Sequence, residues 1–147
     1  MMSKKCKYAL KALVRLAADY QKGYLSTGLI AQEEAIPKKF LEQILLELKQ
    51  VKFVNSQKGA GGGYYLLKHP KEITFADIYR IFDGPIALTP CTSLNFYEPC
   101  NDCPNEAVCY LRKQLIDIRD KTRKSMMGAS LQSFLDNKSA ISKNLKK

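Results

Sequence analysis

A mainly α fold, a winged helix-turn-helix with a two-stranded β-wing and a long C-terminal dimerisation helix, is predicted by three observations. Two short helical patterns meet at a tight turn near Pro37, a glycine-rich hairpin follows, and an apolar stripe at helical spacing returns after residue 105. The chain has 147 residues, 46% of them apolar, which is enough for one modest core.

The first helix is read over residues 5–20, where Ala9, Leu10, Leu13, Leu16 and Ala17 form one face and Lys7, Lys11, Arg15 and Asp19 the other. Gly23 stops it. Ser26 or Thr27 caps a second helix reaching about Glu34, and Pro37 opens a third that runs to about Gln50. Its apolar positions are Phe40, Leu41, Ile44, Leu45 and Leu48, which leave Lys38, Lys39, Glu42 and Gln43 outside the core stripe. Lys52 to Gln57 and Tyr64 to Lys68 have strand character, and the glycines between them make a flexible hairpin tip.

Thr74 with Asp77 reads as a capping pair for a fourth helix carrying Phe75, Ile78, Tyr79 and Phe82, closed by Gly84-Pro85. Residues 85–104 hold four prolines and three cysteines, so an irregular loop is expected, organised by something other than backbone ladders. From about Asn105 to Met127, Val108, Leu111, Leu115 and Ile118 form a stripe suited to pairing with a second helix. A short helix is expected around Leu131 to Leu135. The units are thus 1–83 for DNA binding, 84–104 as a cysteine-rich sensing loop, 105–136 for dimerisation and the last helix, and 137–147 as a disordered tail.

The formal charge of +10 points to an anionic partner, with 14 Lys and Arg against 7 Asp and Glu in residues 1–82 and 10 against 7 in the remainder. No apolar run is long enough to span a bilayer and no secretory signal opens the chain, so a cytoplasmic protein without a membrane partner is expected. In that reducing compartment clustered thiols favour metal or redox chemistry over structural disulfides.

Lys38 and Lys39 can touch phosphates, while Glu42 or Gln43 can read base edges in the major groove. Solvation of a core helix is the bland alternative for each of them. Gly59, Gly61, Gly62 and Gly63 lack the Lys-Ser/Thr ending of a phosphate loop and lead into a strand. They read instead as allowing close backbone approach to DNA, with Lys58 adding charge and one of Tyr64 and Tyr65 facing outward. Cys91, Cys100, Cys103 and Cys109 carry a metal signal through the Cys-x-x-Cys pair, satisfied by zinc or by an iron-sulfur cluster. Four reduced thiols without a ligand remain open, as does a redox enzyme acting through Cys100 and Cys103. His69, the sole histidine, reads as a surface residue. Cys6 reads as a buried structural thiol or as one approaching a partner's loop.

Residues 7–13 (KYALKAL), 36–45 (IPKKFLEQIL), 59–64 (GAGGGY) and 73–78 (ITFADI) resemble the Rrf2 family, the IscR/NsrR group of bacterial regulators, over roughly residues 3–135. The resemblance implies a homodimer on an imperfect palindrome of double-stranded DNA, with the helix of residues 105–127 crossing its mate. It places Lys39, Phe40, Glu42 and Gln43 at the major groove and Lys58 at a minor groove. It also implies an iron-sulfur cluster on loop cysteines, absent from some members, and a response to cluster status, oxidants or nitric oxide. The chain departs from the pattern in having four loop cysteines where three are usual. The carboxylate that some members supply from the first helix would align near Lys7, whose ammonium has no lone pair, so the fourth thiolate is expected to complete the site. The expected function is a homodimeric, sequence-specific repressor without catalytic turnover; the alternative is a zinc-stabilised DNA-binding or interaction module without sensing.

Overall fold

The computed structural model describes residues 1–147. Six helices and one hairpin follow in the order α1 (Lys4–Ala18), α2 (Thr27–Glu34), α3 (Lys38–Gln50), β1 (Val54–Gln57), β2 (Gly63–Leu66), α4 (Phe75–Phe82), α5 (Tyr110–Gly128) and α6 (Leu131–Leu145). Single 3-10 turns at Pro90–Thr92 and Glu106–Val108 punctuate the stretch between α4 and α5.

Helix α1 is the hub, in contact with α2, α3, α4, β2 and α6. Its buried face is wider than the spacing predicts, because Cys6, Ala12 and Val14 join it while Leu10 stays half-buried. The small Ala9 and Ala12 let neighbouring helices approach closely, and Leu13 fills the space between them, with no exposed surface. Leu41, Ile44, Leu45 and Leu48 of α3 are likewise fully buried, each burial contributing about 1.5–3 kcal/mol. Ser3 fixes the start of α1 by accepting from the Cys6 amide, and its own amide donates to Asp83 at the end of α4.

The turn between α2 and α3 reverses at Ala35, whose φ of 52° lies in the left-handed region, and Pro37 then opens α3. The capping pair forms as expected, Thr74 and Asp77 each accepting the other's backbone N–H. Helix α4 buries Ala76 and Ile78, while Phe75, Tyr79 and Phe82 are half-buried.

In the hairpin Val54 pairs with Leu66 and Gln57 with Gly63. The chain before α2 adds a rung on the other edge of β2 that has no strand-like run in the sequence: Leu25 and Tyr64 exchange both backbone bonds, at 2.9 and 2.8 Å. This explains two glycines by contacts inside the molecule. A Cβ on Gly63 would lie 2.3 Å from the Leu25 carbonyl oxygen, and one on Gly62 would lie 2.2 Å from that of Gln57. Gly63→Ala is therefore expected to cost about 1–3 kcal/mol and to loosen the Leu25–Tyr64 rung. Denaturant midpoints and amide exchange at Tyr64 check this; an unchanged midpoint would mean that the strand has slack to move.

The expected disordered tail is instead the continuation of α6, which reaches Leu145. Ser130 caps the helix, Leu131 is fully buried, Phe134 meets Phe75 edge-on at 6.0 Å, and Lys138 pairs with the buried Glu34 at 2.7 Å. The polar composition hid this, because the docked face occupies only the first turns and the helix then propagates through exposed residues. No helix is long and apolar enough to cross a membrane.

Candidate nucleic-acid interface and thiol cavity

The buried stripe of α3 turns its opposite face to solvent. Lys38, Lys39, Glu42, Gln43 and Leu46 are all exposed, and the spacing of Lys39, Glu42, Gln43 and Leu46 places these four on one side of the helix. Leu46 keeps 54% of its surface exposed, so the face carries an apolar patch suited to thymine methyl contact as well as polar groups. Spacing alone did not single it out, because it sits beside the core leucines in sequence.

Phe40 stands apart from that set. Its half-buried ring meets Tyr8 of α1 edge-on at 5.6 Å, so the side chain orients α3 on the core. Lys58 is exposed at the hairpin tip next to the exposed Gly61. Tyr64 is half-buried, and burial pushes its phenol up, with the Glu42 carboxylate adding to the shift. The base of the wing thus lies within electrostatic reach of the α3 face. Lys49 of α3 also donates to Ser56 of β1 at 2.7 Å, linking helix and wing. Tyr65 instead packs edge-on against Tyr24 at 5.2 Å.

The four loop cysteines come together: Cys91, Cys100, Cys103 and Cys109 line one cavity of about 110 Å³ with Glu106, Leu111, Arg112 and Leu115. Cys91 is buried and Cys100 exposed, so the cavity grades from the core outward. Cys109 is both a wall of the cavity and the N-cap of α5, its sulfur accepting from the Arg112 amide at 3.4 Å. Burial pushes the Cys103 thiol up, and hydrogen bonding with Cys109 adds to this. The donors are soft sulfurs, the set that iron-sulfur clusters take. The four thiols line the cavity without converging as a preformed metal-ion site, for zinc or for a cluster alike.

Two arginines that the sequence did not flag hold this loop on α5. Arg112 donates to the Cys91 carbonyl at 3.2 Å and pairs with Glu106 at 3.5 Å, and Arg119 donates to the Thr92 carbonyl at 2.6 Å. Glu106 also accepts from the Tyr97 hydroxyl at 2.9 Å, which pushes that phenol up. Only the fold shows these roles, since the partners lie 21 and 27 positions away in sequence. Cys6 lies apart from the cavity, fully buried, its thiol pushed up to about 12 by burial and by Asp83.

Comparison with known proteins fits this arrangement. Residues 2–137 match the family model Rrf2, described as an iron-dependent transcriptional regulator. An rrf2-like HTH-type transcriptional regulator of Rhodobacter capsulatus is 43% identical over 121 residues, covering 80% of this chain and 81% of its own. The HTH-type regulator CymR of Bacillus subtilis is 32% identical over 133 residues, 90% of this chain and 88% of its own. The solved structure of CymR, the global cysteine regulator of that organism, superposes with a TM-score of 0.77 at 30% identity, covering 93% of this chain and 97% of the other. The regulator IscR of Photorhabdus laumondii is 25% identical over 140 residues, 95% of this chain and 82% of its own. These relatives are regulators and not enzymes, and the CymR fold matches this chain over nearly its whole length. The chain belongs to the Rrf2 family of transcriptional regulators.

Proposed function

We propose that the protein is a homodimeric repressor that binds a palindromic operator and responds to redox, nitrosative or iron-sulfur status through its loop cysteines. The observation that carries the DNA reading is the exposed face of Lys39, Glu42, Gln43 and Leu46 beside a Lys58-tipped wing, all side chains that the core does not use. Pairing is supported by α5, a 19-residue helix with no buried residue that leaves Leu111, Ile118 and Met127 exposed. Beside it an apolar groove of about 360 Å³ runs between Phe75, Tyr79, Ile118 and Met126. Two-fold pairing offers two α3 helices to half-sites about one helical turn apart, the arrangement that a palindrome matches.

For sensing, Cys91, Cys100, Cys103 and Cys109 are the residues that would hold an iron-sulfur cluster, whose chemistry when bound is loss or oxidation in response to oxidants and nitric oxide. Because Arg112 ties the Cys91 loop to α5, a change at the cavity bears directly on the helix that joins the two copies. The neighbouring Cys103 and Cys109 favour a second reading as a thiol sensor. In it hydrogen peroxide accepts two electrons and two protons from the pair, leaving a disulfide and two waters.

The experiment is selection of genomic duplexes from the source organism by the purified protein and by Gln43→Ala. The wild type is expected to enrich a two-fold symmetric motif, and Gln43→Ala to weaken binding by about 1–3 kcal/mol per half-site and relax one base position. Enrichment no better than that of sheared DNA, or identical preferences in both proteins, would overturn the DNA reading. The same motif placed over a promoter should lower reporter output.

A further inference from the structure

A further cavity, of about 270 Å³, shares no lining residue with the α3 face or with the thiol cavity. It is walled by Arg80 of α4, Arg123 of α5, and Ser93, Asn95 and Ile86 of the loop between them. The Arg123 Nε is fully buried without a hydrogen-bond partner in the chain. Neither guanidinium pairs with any carboxylate of the chain, whereas Arg15, Arg112 and Arg119 each do. Buried donors left unpaired are costly and rare, and two unneutralised guanidiniums facing one cavity raise each other's cost. A bound oxyanion offsets the charge of both guanidiniums, because the planar fork of arginine matches carboxylate and phosphoryl oxygens. Ser93 and Asn95 add further polar groups, and Ile86 gives a short apolar wall.

We propose that this cavity binds a small anionic metabolite through a carboxylate or phosphoryl group held between Arg80 and Arg123. Arg80 belongs to the DNA-binding body and Arg123 to the long helix, so the anion braces α4 against α5. The site is separate from the cysteines, and anion capture does not depend on the reading of the α3 face.

The test is isothermal titration calorimetry of the full-length protein with inorganic phosphate, and separately with succinate, against sodium chloride at matched ionic strength. Saturable uptake of one anion per chain is expected for phosphate, for succinate or for both, and the stronger of the two assigns the headgroup chemistry. Arg80→Gln and Arg123→Gln should each weaken it about tenfold or more. Arg123→Lys, which keeps the charge but loses the fork and Nε, should weaken it too. Lys143→Ala, an exposed residue of α6 outside both sites, should leave it unchanged, and circular dichroism of each variant identifies any that fail to fold. Absence of saturation by either anion overturns the proposal, as does saturation that survives both Arg80→Gln and Arg123→Gln in folded protein. If no anion saturates and those variants dissociate the dimer in sedimentation, the two arginines belong to a subunit contact and the proposal falls.

Discussion

Raising the salt concentration from about 50 to about 200 mM is expected to weaken operator binding by roughly 10³- to 10⁵-fold. The physical basis is release of counterions from the duplex, and the chain has the charges to cause it. Lys38, Lys39 and Lys58 are exposed and belong to no ion pair within the protein, so each is free for a phosphate. Each occurs twice in a dimer, and each neutralised phosphate contributes about 0.9 to the slope of log affinity against log salt. Replacing all three by alanine should therefore flatten that slope by about 5, whereas Gln43→Ala should lower affinity with the slope intact. Fluorescence anisotropy across a salt series measures both. Binding that ignores salt, or a triple variant with the wild-type slope, would place the duplex on some other surface.

The second large effect is expected at the thiols. Protein purified without oxygen should be coloured and carry iron and sulfide, and Cys103→Ser or Cys109→Ser should abolish colour, iron and sulfide together. Serine keeps the size of the side chain but replaces a soft thiolate by a hydroxyl, a poor ligand for iron. Cys91→Ser decides between three ligands and four, since Cys91 sits deepest among the four thiols. Cys6→Ala should retain the colour, and Cys6 should resist alkylation in the native protein, because burial and Asp83 keep its thiol protonated up to about 12. A colourless protein whose Cys103 and Cys109 form a disulfide on peroxide treatment would select the thiol sensor. A colourless protein whose operator affinity is indifferent to oxidants would remove sensing altogether.

The parts of the fold legible in the sequence are those held by local rules. Pro37, the Thr74–Asp77 pair and the apolar spacing in α3 each act within a turn or two, and each element formed within a few residues of its expected bounds. The glycine run is a mixed case. Its hairpin was readable, but the demand that the backbones of Gln57 and Leu25 place on Gly62 and Gly63 was not, because it arises inside the molecule. Residues 137–145 went the other way, since a polar composition said tail while Leu131 and Lys138 anchor a helix on distant partners.

By itself, then, the sequence determined the helix-turn-helix with its wing, the cationic surface and the existence of a cysteine cluster, because spacing, charge and residue type are local properties. Tertiary structure decided which groups meet. It turned Phe40 inward onto Tyr8 and exposed Leu46, gathered the four loop thiols around one cavity, and set Arg80 opposite Arg123. These are contacts between segments far apart in the chain, fixed by how α1, α4, α5 and α6 pack and by no residue's nearest neighbours.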